Sequence, residues 1–319
     1  MDAKRKIRVI AIVGPTASGK TELAVELAIR TGGEVVSADS MQIYKYMDIA
    51  TAKPSAEEMR GIPHHLIDFV EPDEKFSVAR YVELAHAAIA DIASRGKTPV
   101  VAGGTGLYVD SLMRNLVFSP QENDDALRAE LNALAAEKGG EHMLAMLREI
   151  DPETAGRLHP NNVGRIIRAI ELYRTTGVTM TEQLERSHGE QIYDPLFIGL
   201  DFRDRNRLYE RINLRVDRML EAGLLEELKA LEKRGFSDTA CQAIGYKELA
   251  GWERGETSFD EAVEELKRST RRYAKRQLTW FRRNPETHWL YHEDYPDAQA
   301  LRRAACGLAE GFLAGAGQV

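Results

Sequence analysis

The stretch "IRVIAIVGPTASGKT", residues 7–21, joins an apolar, β-branched run to a glycine-rich loop. A continuous apolar run of this kind is typical of a strand that is buried on both faces of a parallel sheet. Gly14, Gly19, Lys20 and Thr21 fit the pattern G-x-x-x-x-G-K-[ST], in which backbone N–H groups and the start of a helix hold phosphates. The pattern predicts that Lys20 reaches the phosphates and that the Thr21 hydroxyl holds Mg²⁺.

The composition is that of an ordinary globular protein. The chain has 319 residues, of which 43% are hydrophobic and 29% charged, so it is long enough for one large domain or two smaller ones. No apolar run approaches the ~18 residues that a membrane span needs, and we expect no contact with a membrane. Its two cysteines, Cys241 and Cys306, provide neither a disulfide framework nor a zinc site. We interpret them as reduced thiols and expect a cytoplasmic protein.

Strand-like and helix-like segments alternate over the first third of the chain. The predicted strands are 7–13, 34–39 and 98–106, and the predicted helices are 21–32 and 77–96. This alternation predicts the α/β class, with a P-loop NTPase-like core in which helices cover both faces of a parallel sheet. Ligands of such sheets collect at the carboxyl ends of the strands. We therefore expect the phosphate loop, Asp39 and the turn at 103–105 to lie close together.

The texture of the sequence changes after residue 118. Residues 119–190 read as one helix after another, punctuated by Pro, Asn and Gly, and predict an all-helical insertion domain. We expect residues 1–118 and 191–319 to form the P-loop catalytic core with C-terminal helices. The later core elements are predicted as a strand at 194–202 and long helices at 204–234 and 259–283.

The phosphate loop alone does not identify the reaction. No N-K-x-D-like guanine specifier is present, which argues against a GTPase. Asp39 ends a predicted strand, but Ser40 follows it where an ATPase motor often has Glu. From the motif alone, Asp39 is equally a Mg²⁺ ligand or a catalytic carboxylate. Three reactions stay open: hydrolysis of a triphosphate, transfer of a phosphoryl group, and chemistry elsewhere on a bound diphosphate.

Nine segments together resemble the tRNA dimethylallyltransferases, also called tRNA isopentenyltransferases. Five lie in the first half: GPTASGKT (14–21), SADSMQIYKYMDIATAKPS (37–55), PHHLID (63–68), FSVARY (76–81) and VVAGGTGLYVDSL (100–112). Four follow later: DPETAGRLHPNNVGRIIRAIELYRTTG (151–177), RINLRVDRMLEAGLLEE (211–227), QAIGYKEL (242–249) and RRYAKRQLTWFRR (271–283). The resemblance covers essentially the whole chain in the right order, and these motifs are unusual outside the family.

The resemblance implies alkyl transfer. Members move a dimethylallyl group from dimethylallyl diphosphate to N6 of the adenosine just 3′ of the anticodon in tRNA and release diphosphate with Mg²⁺. Eukaryotic relatives carry a C-terminal zinc finger, for which two cysteines are too few, so we expect the bacterial type. We also expect a monomer.

The same resemblance assigns roles to the catalytic residues. It implies that Asp39 is the general base on N6, that Thr105 is a second polar contact, and that Lys20 belongs to the catalytic set. Arg215 is implied to clamp the diphosphate from the side opposite the loop, with Arg211 as second choice. The alternatives are a Thr105 hydroxyl that caps the following helix and arginines on a solvated helix face. The implied diphosphate site consists of Gly14, Pro15, Thr16, Ala17, Ser18, Gly19, Lys20 and Thr21, with the metal on Thr21.

A tRNA anticodon stem-loop is the implied partner, although the net charge is −7. The implied contacts are Asp39, Ser40, Met41, Gln42, Thr105, Arg128, Gly164, Arg165, Ile166, Ile167, Arg168, Gln242, Ala243, Ile244, Gly245, Tyr246 and Lys247. The stretch 267–283 has eight basic residues and no acid, which favours a surface that tracks the nucleic-acid backbone. The aromatic residues in that stretch, Tyr273, Trp280 and Phe281, pack in a core more often than they stack on bases.

Three competing functions stay open at this stage. A small-molecule kinase also combines a phosphate loop with a strand-end Asp, but it leaves the basic stretch 267–283 unexplained. An adenylate isopentenyltransferase performs the same chemistry on a free nucleotide. A P-loop RNA-binding module predicts that Asp39 matters as much for affinity as for turnover. His64 and His65 are adjacent and lack a matching carboxylate cluster, so we interpret them as structural.

Overall fold

The predicted first strand lies at the centre of the observed sheet. The structure, a computed structural model, describes residues 6–118, 124–187, 189–237 and 239–315, and for Gln242 the backbone alone. The strands are β1 (Ile7–Val13), β2 (Glu34–Ser37), β3 (His64–His65), β4 (Pro99–Ala102), β5 (Tyr193–Asp201) and β6 (His288–Tyr291). They form one sheet in the order β3-β2-β4-β1-β5-β6, and every neighbouring pair is parallel. A parallel sheet with helical crossovers is the predicted α/β arrangement.

The helices of the core alternate with these strands at first and then follow one another. They are α1 (Lys20–Thr31), α2 (Ala56–Met59), α3 (Val78–Ser94), α4 (Gly106–Met113), α9 (Arg205–Glu221), α10 (Leu224–Glu232), α11 (Tyr246–Glu253), α12 (Phe259–Phe281) and α13 (Ala298–Ala314). Short 3-10 helices lie at Ala240–Gln242 and His292–Asp294. Within the described ranges, no helix is long and apolar enough to cross a membrane.

Apolar side chains of β1 explain how the sheet is held. Ile10 and Ile12 pack in one cluster with Leu23 and Leu27 of α1 and with Leu301 of α13, so these two helices cover one face. Because side chains alternate along a strand, the fully buried residues between them face the other side. On the core, α3 packs against α4 and contacts β2 and β4. Burial on both faces accounts for the continuous apolar run in the sequence.

Helices α9 to α12 form a second apolar cluster with the segment that follows β2. Ile43, Tyr44 and Met47 of that segment pack among Leu224, Leu228 and Leu249 of these helices. The segment is therefore held by the C-terminal helices, which lie far away in the sequence. The predicted long helix over 204–234 is wrong: Gly223, with a φ of 99°, separates α9 from α10. The predicted strand 34–39 is also shorter, since β2 ends at Ser37.

Residues 115–190 form a separate compact unit from residues 1–114 and 191–319. Its helices are α5 (Asp125–Ile150), α6 (Pro152–Arg157), α7 (Val163–Thr176) and α8 (Met180–Arg186). Gly139 interrupts α5 with a non-helical backbone, φ 81° and ψ 168°. The core of this unit is made by Leu131, Met143, Leu144 and Leu147 of α5 against Ile166, Ile167 and Ile170 of α7. Residues 119–123, at the predicted domain boundary, lie outside the described residues.

Candidate active site

The phosphate loop connects the end of β1 to the first residue of α1. Gly14 has a φ of 143°, and a Cβ atom there would lie 2.5 Å from the carbonyl oxygen of Leu200 in β5. Gly19 has a φ of 92° and is the N-cap of α1. Both positions need a residue without a side chain, the first for space and the second for backbone conformation. The free N–H groups at the start of α1 are thereby held at the carboxyl edge of the sheet, where an anion binds.

Lys20 lies beneath this loop in a setting that calls for an anion. Its ammonium donates to the carbonyl oxygen of Pro15 at 2.7 Å. Burial and the nearby Arg215 guanidinium lower the pKa of Lys20 to about 7, and the Asp39 carboxylate offsets only part of this effect. Burial also lowers the pKa of Arg215. Lys20 and Arg215 are both desolvated and both lie near the same single carboxylate, so they favour binding of a multiply charged anion.

The two arginines of α9 differ in what they contact. Arg211 donates from Nε to the carbonyl oxygen of Ala17 at 3.0 Å and lies over the ring of Phe202. Arg215, one turn later, is half-buried and makes no hydrogen bond or ion pair with the described part of the chain. Arg211 therefore supports the loop backbone, whereas the Arg215 guanidinium keeps its donors for a ligand.

His292, which follows β6, also holds the phosphate loop, and sequence reasoning missed it. Its Nε2 lies 2.9 Å from the carbonyl oxygen of Ser18, and its ring stacks on Phe202 with centroids 4.1 Å apart. Burial and the Arg211 charge lower the pKa of His292, which favours the neutral ring. A neutral ring with a proton on Nε2 donates to the loop without adding a charge.

Asp39 lies two residues beyond the end of β2 and uses its two carboxylate oxygens differently. Oδ1 accepts from the backbone N–H of Met41 at 2.9 Å and of Gln42 at 3.4 Å. Oδ2 accepts no hydrogen bond from the described residues, and a Cβ atom at Gly104 would be 3.9 Å from it. One oxygen thus fixes the carboxylate and the other is available to a substrate.

Thr105 precedes α4 but does not cap that helix with its side chain. Its hydroxyl accepts from the backbone N–H of Ser40 at 2.9 Å and donates to the Ser40 hydroxyl at 3.1 Å. The capping alternative for Thr105 is therefore wrong. Because a Cβ atom at Gly103 would lie 2.1 Å from the Ala38 carbonyl oxygen, the two turns are in close contact, as the carboxyl-edge rule predicts.

The segment 40–53 is held by side chains from within and from α10. The Gln42 amide donates to the carbonyl oxygens of Thr51 at 3.1 Å and Ala52 at 3.0 Å. The Glu227 carboxylate accepts from three successive backbone N–H groups, those of residues 48, 49 and 50, at 2.7–3.0 Å. It also accepts from the Tyr246 hydroxyl at 2.7 Å. The Gln42 amide group is thus engaged in the fold of its own loop.

Residues 242–247 lie beside this segment. Ala243 and Tyr246 are buried, Ile244 is half-buried, and Lys247 is exposed with an ion pair to Glu248 at 3.7 Å. The side chain of Gln242 lies outside the described residues. Among the expected tRNA contacts here, Lys247 is the one with an exposed charge.

In the helical unit too, some of the predicted tRNA contacts are buried and others are exposed. Ile166 and Ile167 are 0% and 3% exposed and belong to the core of the unit, so their side chains do not face solvent. Arg128 and Arg168 both pair with the buried Glu171, at 2.6 and 3.0 Å. Gly164 and Arg165 are exposed. Arg165 makes no ion pair within the described ranges, which leaves its charge for a phosphate.

The basic stretch 267–283 is less uniform than its sequence suggests. Four cations form ion pairs: Lys267 with Asp217, Arg268 and Arg272 with Glu265, and Arg282 with Asp201. Arg271 donates to the neutral amide oxygen of Asn213. Phe281 is buried, and the half-buried Trp280 donates to Asp110, so both rings pack against the protein. Exposed cations are left at Lys275, Arg276 and Arg283, of which the latter two lie over the rings of Tyr273 and Trp280.

The oxygen donors near the loop suit a small, strongly hydrated cation. The Thr21 hydroxyl makes no hydrogen bond with the described residues, and Asp39 offers its second oxygen. No group of three His, Cys, Asp or Glu in the described ranges has the arrangement of a metal site. A hydroxyl and one carboxylate fit Mg²⁺, which keeps waters and takes phosphate oxygens. His65 instead lies 2.7 Å from Glu34 in the sheet, as the structural interpretation requires.

Comparisons with known proteins show which family the chain resembles. The IPP transferase family model matches residues 42–284, and an isopentenyl transferase model matches residues 7–68. A tRNA dimethylallyltransferase from Acetivibrio thermocellus is 53% identical over 296 residues, which cover 92% of this chain and 94% of that protein. Another from Bacillus cytotoxicus is 51% identical over 291 residues, with coverages of 91% and 92%.

Solved structures show the same likeness. The full-length tRNA isopentenylpyrophosphate transferase from Bacillus halodurans is 44% identical, has a TM-score of 0.72 and is matched over 96% of both chains. A eukaryotic dimethylallyltransferase acting on tRNA is 31% identical and has a TM-score of 0.79, over 97% of this chain and 80% of that one. The predicted P-loop α/β fold class is confirmed. The chain therefore belongs to the IPP transferase family, that of the tRNA dimethylallyltransferases, and is a transferase.

Proposed function

We propose that the protein transfers a dimethylallyl group from dimethylallyl diphosphate to N6 of the adenosine 3′-adjacent to the anticodon in tRNA. The observation that supports this proposal most strongly is that the phosphate loop and the Asp39 carboxylate lie close together at the carboxyl edge of the sheet. A cationic phosphate loop lies beside a carboxylate, Asp39, that has one oxygen free for a substrate. Family membership supports the transfer reaction and tRNA as the acceptor.

The phosphate loop holds the leaving group. As the bond between C1 of the dimethylallyl group and the bridging oxygen breaks, the electron pair stays with diphosphate and its negative charge grows. Donors that are already in place stabilise that charge without reorganising. The backbone of the loop, Lys20 and Arg215 supply these donors.

Asp39 acts on the acceptor. The adenine N6 is a weak nucleophile because its lone pair is delocalised into the ring. As N6 forms its bond to C1, the unused Oδ2 of Asp39 accepts the N6 proton, while Oδ1 stays fixed by the backbone of Met41. General-base catalysis of this kind contributes about 10²–10⁴ in rate. The base must first leave its stack, and the Thr105–Ser40 pair offers polar groups beside its new position.

Mg²⁺ is the proposed cofactor. The Thr21 hydroxyl is its expected ligand, because the free oxygen of Asp39 is used for the N6 proton. When bound, the ion would neutralise charge on the departing diphosphate.

The exposed cations are the proposed contacts to the tRNA backbone. These are Arg165 in the helical unit and Lys275, Arg276 and Arg283 on the core. Such contacts position a nucleic acid without reading its sequence. We also propose that the protein is a monomer.

The test is mass spectrometry of tRNA nucleosides after incubation with the protein, Mg²⁺ and dimethylallyl diphosphate. We expect one adenosine to gain one dimethylallyl group in place of a hydrogen, and a tRNA with guanosine at that position to stay unchanged. Efficient prenylation of AMP with tRNA left unmodified would make the protein an adenylate isopentenyltransferase. Transfer of the ATP γ-phosphate to a metabolite would make it a kinase.

A further inference from the structure

Gln277 of α12 forms a bridge between two loops at the carboxyl edge of the sheet. The side chain is 4% exposed, and both ends of its amide are used. The oxygen accepts from the backbone N–H of Thr16 at 2.8 Å, and the nitrogen donates to the carbonyl oxygen of Gly104 at 2.9 Å. Thr16 belongs to the phosphate loop after β1, and Gly104 to the turn after β4. A single side chain thus joins two loops that no backbone hydrogen bond of the described residues connects.

The bridge fits closely. A Cβ atom at Gly104 would lie 2.1 Å from Gln277 Nε2, so the turn approaches the amide as nearly as a glycine allows. The Tyr273 side chain, one turn earlier, lies beside Gln277 and Thr105. Trp280, one turn later, packs on Gly106 in the same turn. Three side chains on one face of α12, at positions 273, 277 and 280, therefore pack against the turn at residues 104–106.

The two bridged loops carry the two halves of the proposed reaction. Thr16 lies in the loop that holds the leaving diphosphate. Gly104 precedes Thr105, whose hydroxyl fixes Ser40 next to the general base Asp39. Alkyl transfer requires the nucleophile, the carbon and the leaving oxygen in line, and a displacement of about 1 Å costs about 10²-fold in rate.

We propose that Gln277 is a positioning residue that sets the spacing between the diphosphate loop and the acceptor-side turn. This inference rests on the proposed function. Gln277 contacts no reacting atom; it acts through the backbone of Thr16 and of Gly104.

Two variants of Gln277 test the bridge, one by removing both hydrogen bonds and the other by making the donor depend on pH. Gln277→Met keeps the length of the side chain and removes both hydrogen bonds, so the single-turnover rate is expected to fall about 10- to 100-fold. Gln277→Glu can replace the amide only when its carboxyl is protonated. The acid form accepts from Thr16 and donates to Gly104, whereas the carboxylate cannot donate and faces a carbonyl oxygen.

The rate of Gln277→Glu relative to the natural protein should therefore rise as pH falls. Lys20, Asp39 and Tyr273 are the ionisable groups around the bridge and are present in both proteins, so the ratio reports the change at residue 277. The same ratio for Gln277→Met should not change with pH. Gln299→Met and Gln299→Glu are the matched controls, because Gln299 is exposed on α13 and makes no hydrogen bond with the described residues.

The experiment measures single-turnover prenylation of tRNA and the affinity for inorganic pyrophosphate, both across a pH series. A Gln277→Glu ratio that recovers about tenfold or more between about pH 8 and about pH 5.5 supports the bridge. A flat ratio, or a Gln277→Met rate equal to that of the Gln299 variants, overturns it. A natural protein that transfers no dimethylallyl group overturns the proposed function instead. The pyrophosphate affinity of Gln277→Met, expected to fall about tenfold, then still decides whether Gln277 holds the loop.

Discussion

The two carboxylate oxygens of Asp39 have different roles. Oδ1 is held by the backbone of Met41, and Oδ2 is the proposed proton acceptor. Asp39→Asn keeps an oxygen for the Met41 N–H but replaces the proton acceptor with an NH₂ group. We expect the single-turnover rate to fall about 10²- to 10⁴-fold, because the general base is lost. The affinity for tRNA, measured by filter binding, should change less than about threefold. Equal losses in affinity and rate would instead identify a tRNA-binding module.

The lowered pKa of Lys20 predicts that the protein takes up a proton when the ligand binds. With its pKa lowered to about 7, the free lysine is mostly neutral at pH 8, and a bound diphosphate favours its charged form. Binding should then take up as much as about 0.9 proton per site at pH 8, and this contribution weakens binding as pH rises through about 7. Calorimetry in buffers of different ionisation enthalpy measures the uptake.

Lys20→Arg is the matched variant, because arginine stays charged over this whole range. The titration of pyrophosphate itself contributes equally to both proteins. The difference in proton uptake between them therefore belongs to Lys20. If both proteins take up the same number of protons, Lys20 is already charged before the ligand arrives.

The functional residues that could be predicted from the sequence are those that lie within short contiguous motifs. The phosphate loop and Asp39 fall within short motifs, so their pattern carries the signal. Gln277 and His292 lie 261 and 274 residues from their loop partners. Their partners are backbone N–H and carbonyl groups, which every residue has and which leave no trace in a pattern. For Gln277 the sole sequence signal is a polar residue on the apolar face of an amphipathic helix.

At the scale of elements, the segment 40–53 depends on one carboxylate of α10. Glu227→Gln replaces an acceptor oxygen with an NH₂ group that faces backbone N–H donors. We expect kcat/KM for tRNA to fall about tenfold while pyrophosphate affinity stays unchanged, because the loop belongs to the acceptor side. Glu226→Gln, on the same helix but exposed, should behave like the natural protein. A loss of pyrophosphate affinity in Glu227→Gln would show that the effect is not confined to this loop.

Long elements were predictable, and short ones were not. The apolar run at 7–13 and the amphipathic pattern at 77–96 correspond to β1 and α3. Strand β3 has two residues and β6 has four, too few for a period of two to stand out. The break between α9 and α10 rests on a single glycine within a continuous helical pattern. It was missed because an isolated Gly is tolerated in a helix.

At the scale of the molecule, ion pairs determine which basic residues keep an exposed, unpaired charge. The net charge of −7 and the acid-free stretch 267–283 pointed in opposite directions. Pairing resolves the conflict in part, since acids distant in sequence, such as Asp217 and Asp201, neutralise cations at both ends of the stretch. Lys275 and Arg276 stay exposed between them. Which cations are free could not be read from the sequence, because ion pairs depend on how the helices pack.

The division into two units follows from separate apolar cores. Residues 115–190 bury their own cluster between α5 and α7, and the sheet buries another against α1 and α13. The change of texture after residue 118 signals this division, since helical periodicity replaces the strand–helix alternation. The partners of Arg128 and Arg168 were not predictable, because Glu171 lies on a helix face that the sequence alone does not orient.

The central claim is that the loop holds a leaving group and that the bond that breaks joins carbon to oxygen. The most direct measurement uses dimethylallyl diphosphate with ¹⁸O at the oxygen that bridges C1 and phosphorus. Mass spectrometry then follows the label in the two products. We predict that all of the ¹⁸O appears in the released diphosphate and none in the modified adenosine. Label retained on the dimethylallyl fragment would mean that a phosphorus–oxygen bond breaks, and would contradict the account.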